Sequence, residues 1–233
     1  MIQGISTTEA LEILKTTDPV QLLEILRRAT ETREKYFKNR IKTCSIVNAK
    51  CGNCQQNCAF CAQSSRSKAK ITTYPLISAE EMFQAAKTAA EHGSHRFGIV
   101  TSGTKVVPGH DLDEICKAIR MIRKELPILP CASLGIMTED ALLQLKEAGL
   151  DRFHHNLEAS PSYFPEVCTT RPYSSQTETV RTAKKLGFSV CSGGIIGIGE
   201  SLEQRVELLE TVRSLEVDSV PLNFLSPIPG TLL

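Results

Sequence analysis

Nine cysteines stand in this 233-residue chain, and four of them, Cys51, Cys54, Cys58 and Cys61, fall within eleven residues. Thiols this crowded point to metal ligation, because a reducing compartment keeps them from pairing stably. Cys54, Cys58 and Cys61 read C-x3-C-x2-C, so one short loop can offer three thiolates to one face of an iron–sulfur cube. A [4Fe–4S] cluster usually takes four thiolates. With three, one iron stays open to another ligand, and the spacing suggests chemistry at the cluster. Counting Cys51, the run is also C-x2-C-x3-C-x2-C, a zinc-like set, but three residues between the pairs leave little room for two knuckles. The two-cluster ferredoxin order is absent. An inert buried thiol cluster is the third alternative.

Composition bounds what this loop can serve. Hydrophobic residues make up 41% and charged residues 23%, a balance that allows a full core. A net charge of +1 offers no electrostatic case for nucleic acid or an anionic membrane surface. No apolar run approaches a membrane span, and the first residues have neither the basic flank nor the apolar core of a signal peptide. The expectation is a cytoplasmic protein in which cysteines hold cofactors.

The elements that must position the loop alternate along the chain. Residues 1–40 read as a helical segment. Ser6 with Glu9 forms a capping box, and Asp18-Pro19 opens a second helix with Val20, Leu22, Leu23, Ile25 and Leu26 on a buried face. Residues 41–233 carry strand-like runs at 43–48, 95–101, 128–134, 152–157, 188–192 and 218–224. Between them lie helical patterns from Ser78 to His92, Asp111 to Leu126, Thr138 to Ala148, Ser174 to Leu186 and Leu202 to Leu215. Such repeats argue an α/β fold with a parallel sheet, of the TIM-type (β/α) barrel kind. Six strands fall short of eight, and a complete barrel typically runs to about 250 residues, so a barrel truncated after strand 6 is expected.

Ligands bind such barrels at the C-terminal ends of the strands, and polar residues gather there. The cysteine loop follows strand 1 and Ser102-Gly103 follows strand 2. Strand 3 carries Cys131, strand 4 carries His154, Asn156 and Glu158 on one face, strand 5 carries Cys191 and runs into Gly193-Gly194, and strand 6 ends at Asn223. Parallel strands are normally continuous apolar runs, so a ligand site explains the departures better than a satisfied polar cluster. The run from Gly194 through Gly197 to Glu200 lacks the G-x-G-x-x-G spacing of a dinucleotide fingerprint, but it allows close backbone approach by a ligand.

Cys54-Gln-Gln-Asn-Cys58-Ala-Phe-Cys61-Ala-Gln-Ser-Ser65 resembles the signature of the radical S-adenosylmethionine (SAM) enzymes, in the branch that closes a thiophane ring on dethiobiotin. His155-Asn-Leu-Glu-Ala-Ser160, Thr169-Thr-Arg171, Val190-Cys-Ser-Gly-Gly-Ile-Ile-Gly197, Val220-Pro-Leu-Asn223 and Pro229-Gly-Thr231 extend the likeness over residues 7 to 233. The resemblance implies a [4Fe–4S] cluster on Cys54, Cys58 and Cys61, with SAM on its open iron. Reductive cleavage would give a 5′-deoxyadenosyl radical that abstracts substrate hydrogen. It further implies that Ser102 and Gly103 meet the methionine amine, Asn156 and Glu158 the ribose, Arg171 the methionine carboxylate, and Gly194 and Gly197 the adenine. His154 and Asn223 would approach dethiobiotin. A flavodoxin or ferredoxin would donate electrons, and the chain would pair as a homodimer.

The likeness breaks at the sulfur donor, in the usual form a [2Fe–2S] cluster on cysteines of strands 2, 3 and 5 plus a later arginine. Cys131 and Cys191 match two of these, but Gly98 stands at the strand 2 position. Cys44, Cys51 and Cys168 are candidate further ligands of a different auxiliary iron–sulfur cluster, while Cys116 fits a small core residue. Rival readings are another radical SAM enzyme of the branch, a maturase or a methylase, and an inactive cluster-binding protein.

Overall fold

The computed structural model describes residues 4–233. Two helices come first, α1 (Thr7–Lys15) and α2 (Pro19–Phe37). Then β1 (Cys44–Lys50), α3 (Ala79–Glu91), β2 (Arg96–Thr101), α4 (His110–Glu125), β3 (Leu129–Ser133), α5 (Glu139–Glu147) and β4 (Arg152–His154) alternate. A short α6 (Phe164–Val167) precedes α7 (Tyr173–Lys185), β5 (Ser189–Cys191), β6 (Gly194–Ile196), α8 (Leu202–Ser214) and β7 (Leu222–Phe224). Strands β1 to β5 form one sheet in chain order, every pair parallel; β6 and β7 pair in parallel beside it. This is the parallel strand–helix arrangement of the expected (β/α) barrel.

Strand alternation divides the sheet into two faces. Phe97, Ile99, Ala132, Phe153 and Val190 point outward and are buried in one core that also takes in Met82 of α3, Ile115 and Ile119 of α4, and Leu142 and Leu145 of α5. The intervening residues Cys44, Arg96, Gly98, Cys131, Arg152, His154 and Cys191 point to the concave side. One cavity of about 550 Å³ touches residues of β1 through β5 together with Pro221 and Asn223, so the sheet curls around a lumen.

Local chemistry explains the helix starts. Ser78 and Glu81 form a reciprocal capping box, as do Ser201 and Gln204. At α1 only half of the expected box forms. Ser6 Oγ accepts from Glu9 N at 3.1 Å, while the Glu9 carboxylate is taken by Arg28 at 2.8 Å.

Three expectations need correction. The apolar stripe of α2 is not a buried face: neither α1 nor α2 contains a buried residue, and Val20, Leu22, Leu23 and Leu26 are exposed. Helical periodicity announced the helix correctly, but along that stripe only Ile25 is partly covered, where it borders a cavity shared with Ile13 of α1. Strand 4 ends at His154 rather than at 157; the backbone beyond it still pairs through His155 N to Cys191 O and Leu157 N to Gly193 O, both 2.9 Å, until Glu158 turns it at φ 70°. The glycine-rich run contributes the extra strand β6. Gly193 permits this offset, since a Cβ there would lie 1.9 Å from the Pro221 carbonyl oxygen.

Candidate functional site

The cysteine loop is fixed by its own backbone and by α6. Cys54 N donates to Gln63 O (3.0 Å), Ser65 N to Cys54 O (2.8 Å), and Ala59 N to Val167 O (2.9 Å). Gln56 is 7% exposed and ties the loop in two directions. Its Nε2 donates to Thr104 Oγ1 at 2.8 Å, and its Oε1 accepts from Thr170 Oγ1 at 2.6 Å. Asn57 Oδ1 accepts from the N–H groups of Thr169 and Thr170. The Thr169-Thr170-Arg171 segment is thereby clamped against the loop, and Arg171 is brought to the cysteines.

An inner cleft holds Cys54, Cys58 and Cys61 together with Ser102, Gly103, His154, Asn156, Glu158 and Arg171. Burial pushes the Cys58 thiol up to about 12 and raises Cys61 as well. These thiols are protonated until a metal displaces the proton. Burial also lifts Glu158 to about 7, against the pull of Arg171 and of Asn156 Nδ2 at 3.4 Å from its carboxylate. His155, also on the cleft wall, is held at about 4 by burial, its Nε2 3.1 Å from Gln176 Oε1. Arg171 Nε is buried with no hydrogen-bond partner. An unpaired buried guanidinium nitrogen is costly, and it stands in the same cleft as the three thiols.

These residues fit the implied group. Three thiols on a braced loop match three corners of a cube, and beside them stand one unpaired guanidinium nitrogen and a buried carboxyl suited to polar partners. Among the described residues no three His, Cys, Asp or Glu side chains converge on a single metal ion. A cube bound one thiolate per iron does not require that, whereas structural zinc does.

The second chamber is the lumen cavity. Cys44, Cys131 and Cys191 line it with Arg96, Gly98, Arg152, His154, Asn156 and Asn223. Burial first, then the neighbouring Cys191 thiol, pushes Cys131 up to about 12, with Arg152 and Arg96 pulling the other way. Arg96 is paired with Asp151, whereas Arg152 Nε donates to Ser189 Oγ at 2.9 Å. The two chambers share Ser133, His154 and Asn156 as a common wall. A larger cavity of about 680 Å³, between α1 and α2, is lined by Ile13, Ile25 and Phe37 and gathers no thiol or carboxylate.

Not every candidate falls in these chambers. Cys51 is buried in an antiparallel bridge to Tyr74 and lines neither. Cys168 lies on the cluster side beside Cys58, its Sγ 3.4 Å from Thr170 Oγ1, away from Cys131 and Cys191. Gly194 and Gly197 do not line the cleft. Gly194 is small because the Glu158 backbone lies against it, and Gly197 N donates to Glu200. Arg96, Arg152 and Gln176 were missed from the sequence. Their signal was a charge or amide at an inward strand position or on an inward helix face, which needs the register to be read.

Residues 50–212 match the radical SAM superfamily. A biotin synthase of Citrifermentans bemidjiense is 50% identical over 234 residues, covering 100% of this chain and 71% of that protein. One of Geotalea uraniireducens is 47% identical over 231 residues, covering 99% and 70%. The chain belongs to the radical SAM superfamily, in its biotin synthase family. Membership implies a [4Fe–4S] cluster, SAM and a small-molecule substrate. Among solved structures, methylornithine synthase superposes with a TM-score of 0.88 at 21% identity, over 100% of this chain and 68% of its own. A maturase of the [FeFe]-hydrogenase gives 0.83 at 18% identity, over 100% and 55%. These two likenesses carry the radical SAM fold alone. No helix among the described residues is long and apolar enough to cross a membrane.

Proposed function

We propose that this chain converts dethiobiotin to biotin by radical sulfur insertion. The observation that carries the reading is the pair of abutting chambers, with three loop cysteines in one, three lumen cysteines in the other, and Ser133, His154 and Asn156 between them. When bound at Cys54, Cys58 and Cys61, a [4Fe–4S] cluster with SAM supplies the one-electron attack on an unactivated C–H bond that no side chain can make.

The chain's own residues hold and orient. Arg171, whose Nε is buried and unpaired, offers its guanidinium to the methionine carboxylate, a fork suited to that partner. Ser102 and Gly103 receive the amine. Asn156 and Glu158 take the ribose hydroxyls, Glu158 accepting once its proton is lost near neutral pH. Gly194 acts from behind, by letting the chain close against Glu158, and Gly197, at φ 88°, turns the run so that its N–H meets Glu200. His154 and Asn223 face dethiobiotin from the lumen side. His154 is held neutral by burial, and Arg152 opposes its charging further; it can therefore both accept and donate a hydrogen bond to a neutral ureido ring.

Cys44, Cys131 and Cys191 would hold the sulfur-bearing auxiliary iron–sulfur cluster, with Cys44 on β1 replacing the ligand that Gly98 cannot supply. Arg96 and Arg152 would offset the charge of the thiolates. The same reading takes residues 1–40 as an N-terminal helical segment and 41–233 as the barrel core, a flavodoxin or ferredoxin as electron donor, a homodimer as the assembly and the cytoplasm as location.

The test is anaerobic reconstitution followed by reduction with SAM and dethiobiotin. Biotin, methionine and 5′-deoxyadenosine are expected, with SAM cleavage stimulated by dethiobiotin. Cleavage indifferent to dethiobiotin would assign the chain to another radical SAM reaction.

A further inference from the structure

Charge is spread unevenly along the chain. From residue 35 to residue 79 there are eight Lys and Arg and no Asp or Glu, although the whole chain is only +1. The cysteine loop lies inside this stretch. Arg66, Lys68 and Lys70 follow it directly, are exposed, and take no part in any ion pair among the described residues. The segment crossing this region, residues 219–233, carries no ionisable side chain. It is pinned there by Lys68 N donating to Gly230 O at 2.8 Å and Leu232 N to Ala59 O at 2.9 Å.

Cys58 and Cys61 each border two spaces. On one side is the inner cleft with Arg171 and Glu158; on the other is a pocket of about 250 Å³ lined by Asn57, Ser64, Arg66, Ser67, Thr231 and Leu232. The loop is therefore a partition. The cleft is the side assigned to SAM, which leaves the outer pocket as a separate route to the same two sulfur atoms. Arg66 lines this pocket itself, and the exposed Lys68 and Lys70 follow it in the chain.

We propose that Arg66, Lys68 and Lys70 form the docking surface for an acidic one-electron carrier, and that the electron crosses through the pocket bounded by Cys58, Cys61 and Leu232. In the transfer the carrier's reduced flavin or iron–sulfur centre loses one electron and the [4Fe–4S] cluster gains it, with no bond made or broken. Cations that surround the acceptor speed encounter with an acidic partner and make the rate depend on salt. The uncharged 219–233 segment adds no repulsion to that approach. The proposal rests on the cluster reading of Cys54, Cys58 and Cys61, not on the identity of the substrate.

The test is stopped-flow reduction of the reconstituted cluster, followed by bleaching of its absorbance, with no dethiobiotin present. Reduced flavodoxin and reduced methyl viologen serve as donors. In the triple variant Arg66→Glu, Lys68→Glu, Lys70→Glu the flavodoxin rate should fall at least ~10-fold at low ionic strength and lose most of its salt dependence. The viologen rate should not fall, since that donor is itself a cation, and the cluster content and the flavodoxin rate of Lys124→Glu, on α4, should match the parent. A triple variant reduced by flavodoxin at the parental rate overturns the docking surface alone. Equal slowing with both donors overturns it too, because the change then lies in the cluster. A parent protein that takes up no iron–sulfur chromophore overturns the cluster reading and the docking proposal together.

Discussion

Gly194 has no room for a side chain because Glu158 fills it: a Cβ there would stand 2.6 Å from the Glu158 carbonyl oxygen and 2.7 Å from Leu208. That oxygen accepts from Ile195 N at 2.8 Å, which holds Glu158 at φ 70° with its carboxyl in the inner cleft. A left-handed conformation is unusual for a residue with a side chain, and it persists where neighbours over-determine it. Gly194→Ala should therefore cost about 1–3 kcal/mol of stability and weaken SAM binding more than cluster uptake. Urea unfolding and SAM titration of the reconstituted protein would check this; parental values in both would disprove the coupling.

Arg171 is the next lever. Its Nε is buried and unpaired, and its guanidinium lies 5.7 Å over the Phe164 ring. Arg171→Lys keeps the charge but loses the fork. A charge-assisted hydrogen bond is worth about 1.5–3 kcal/mol, so the dissociation constant for SAM should rise at least ~10-fold while iron content stays unchanged. Equilibrium binding by cluster absorbance or spin-echo spectroscopy reads this directly.

Glu158 makes stability depend on pH in a defined direction. Its carboxyl titrates near 4.5 when unfolded and about 7 when folded, because burial disfavours the charge. The folded state therefore holds its proton longer, and this group's stabilisation, full below 4.5, is lost as pH rises towards 7. Glu158→Gln should match the parent at pH 4.5 and exceed it at pH 8 by on the order of 3 kcal/mol at most. His155 acts oppositely, losing stability as pH falls from 6.5 towards 4, but it is common to both proteins and cancels in the difference. Unfolding midpoints of the cluster-free proteins at the two pH values decide the matter.

The lumen thiols predict a second chromophore. In the Cys54→Ala, Cys58→Ala, Cys61→Ala variant, reconstitution should leave residual iron and sulfide. Adding Cys44→Ala or Cys131→Ala should abolish it, whereas adding Cys51→Ala or Cys116→Ala should not. Retention after loss of Cys44 would return the third ligand to the unassigned thiols.

Exposure on α2 predicts a null effect on stability. Leu23→Gln with Leu26→Gln should shift it by less than about 0.5 kcal/mol each, against about 2–5 kcal/mol for Leu142→Ala in the core. The contrast needs only thermal melts of three proteins.

Much of this was legible from residue order. The cysteine spacing, the helix starts at Ser6 and Asp18, and the alternation of strands with helices are local signals that survive in one dimension. What escaped was set by partners distant in sequence. The α2 stripe reads as buried because periodicity reports a preferred face, not whether another element covers it. β6 was hidden because Gly193 and Gly194 look like a loop until Pro221 and Glu158 are seen pressing on them. Cys44 and Cys51 looked equivalent, yet one faces the lumen at the start of β1 and the other pairs with Tyr74 beyond its end. Arg152 and Arg96 could be recognised only once the register placed them beside Cys131.

The alternation along β2 to β5 turns this protein inside out compared with an ordinary globule: oil is packed around the perimeter, and the wet, reactive atoms occupy the middle. Rewriting an even-handed half of each strand could retool the reaction while the scaffold stays folded. Inserting one residue into β3 would do the opposite, bringing Pro130 and Ala132 inside and expelling Cys131 into the grease, so loss of fold and loss of sulfur chemistry would arrive in a single step.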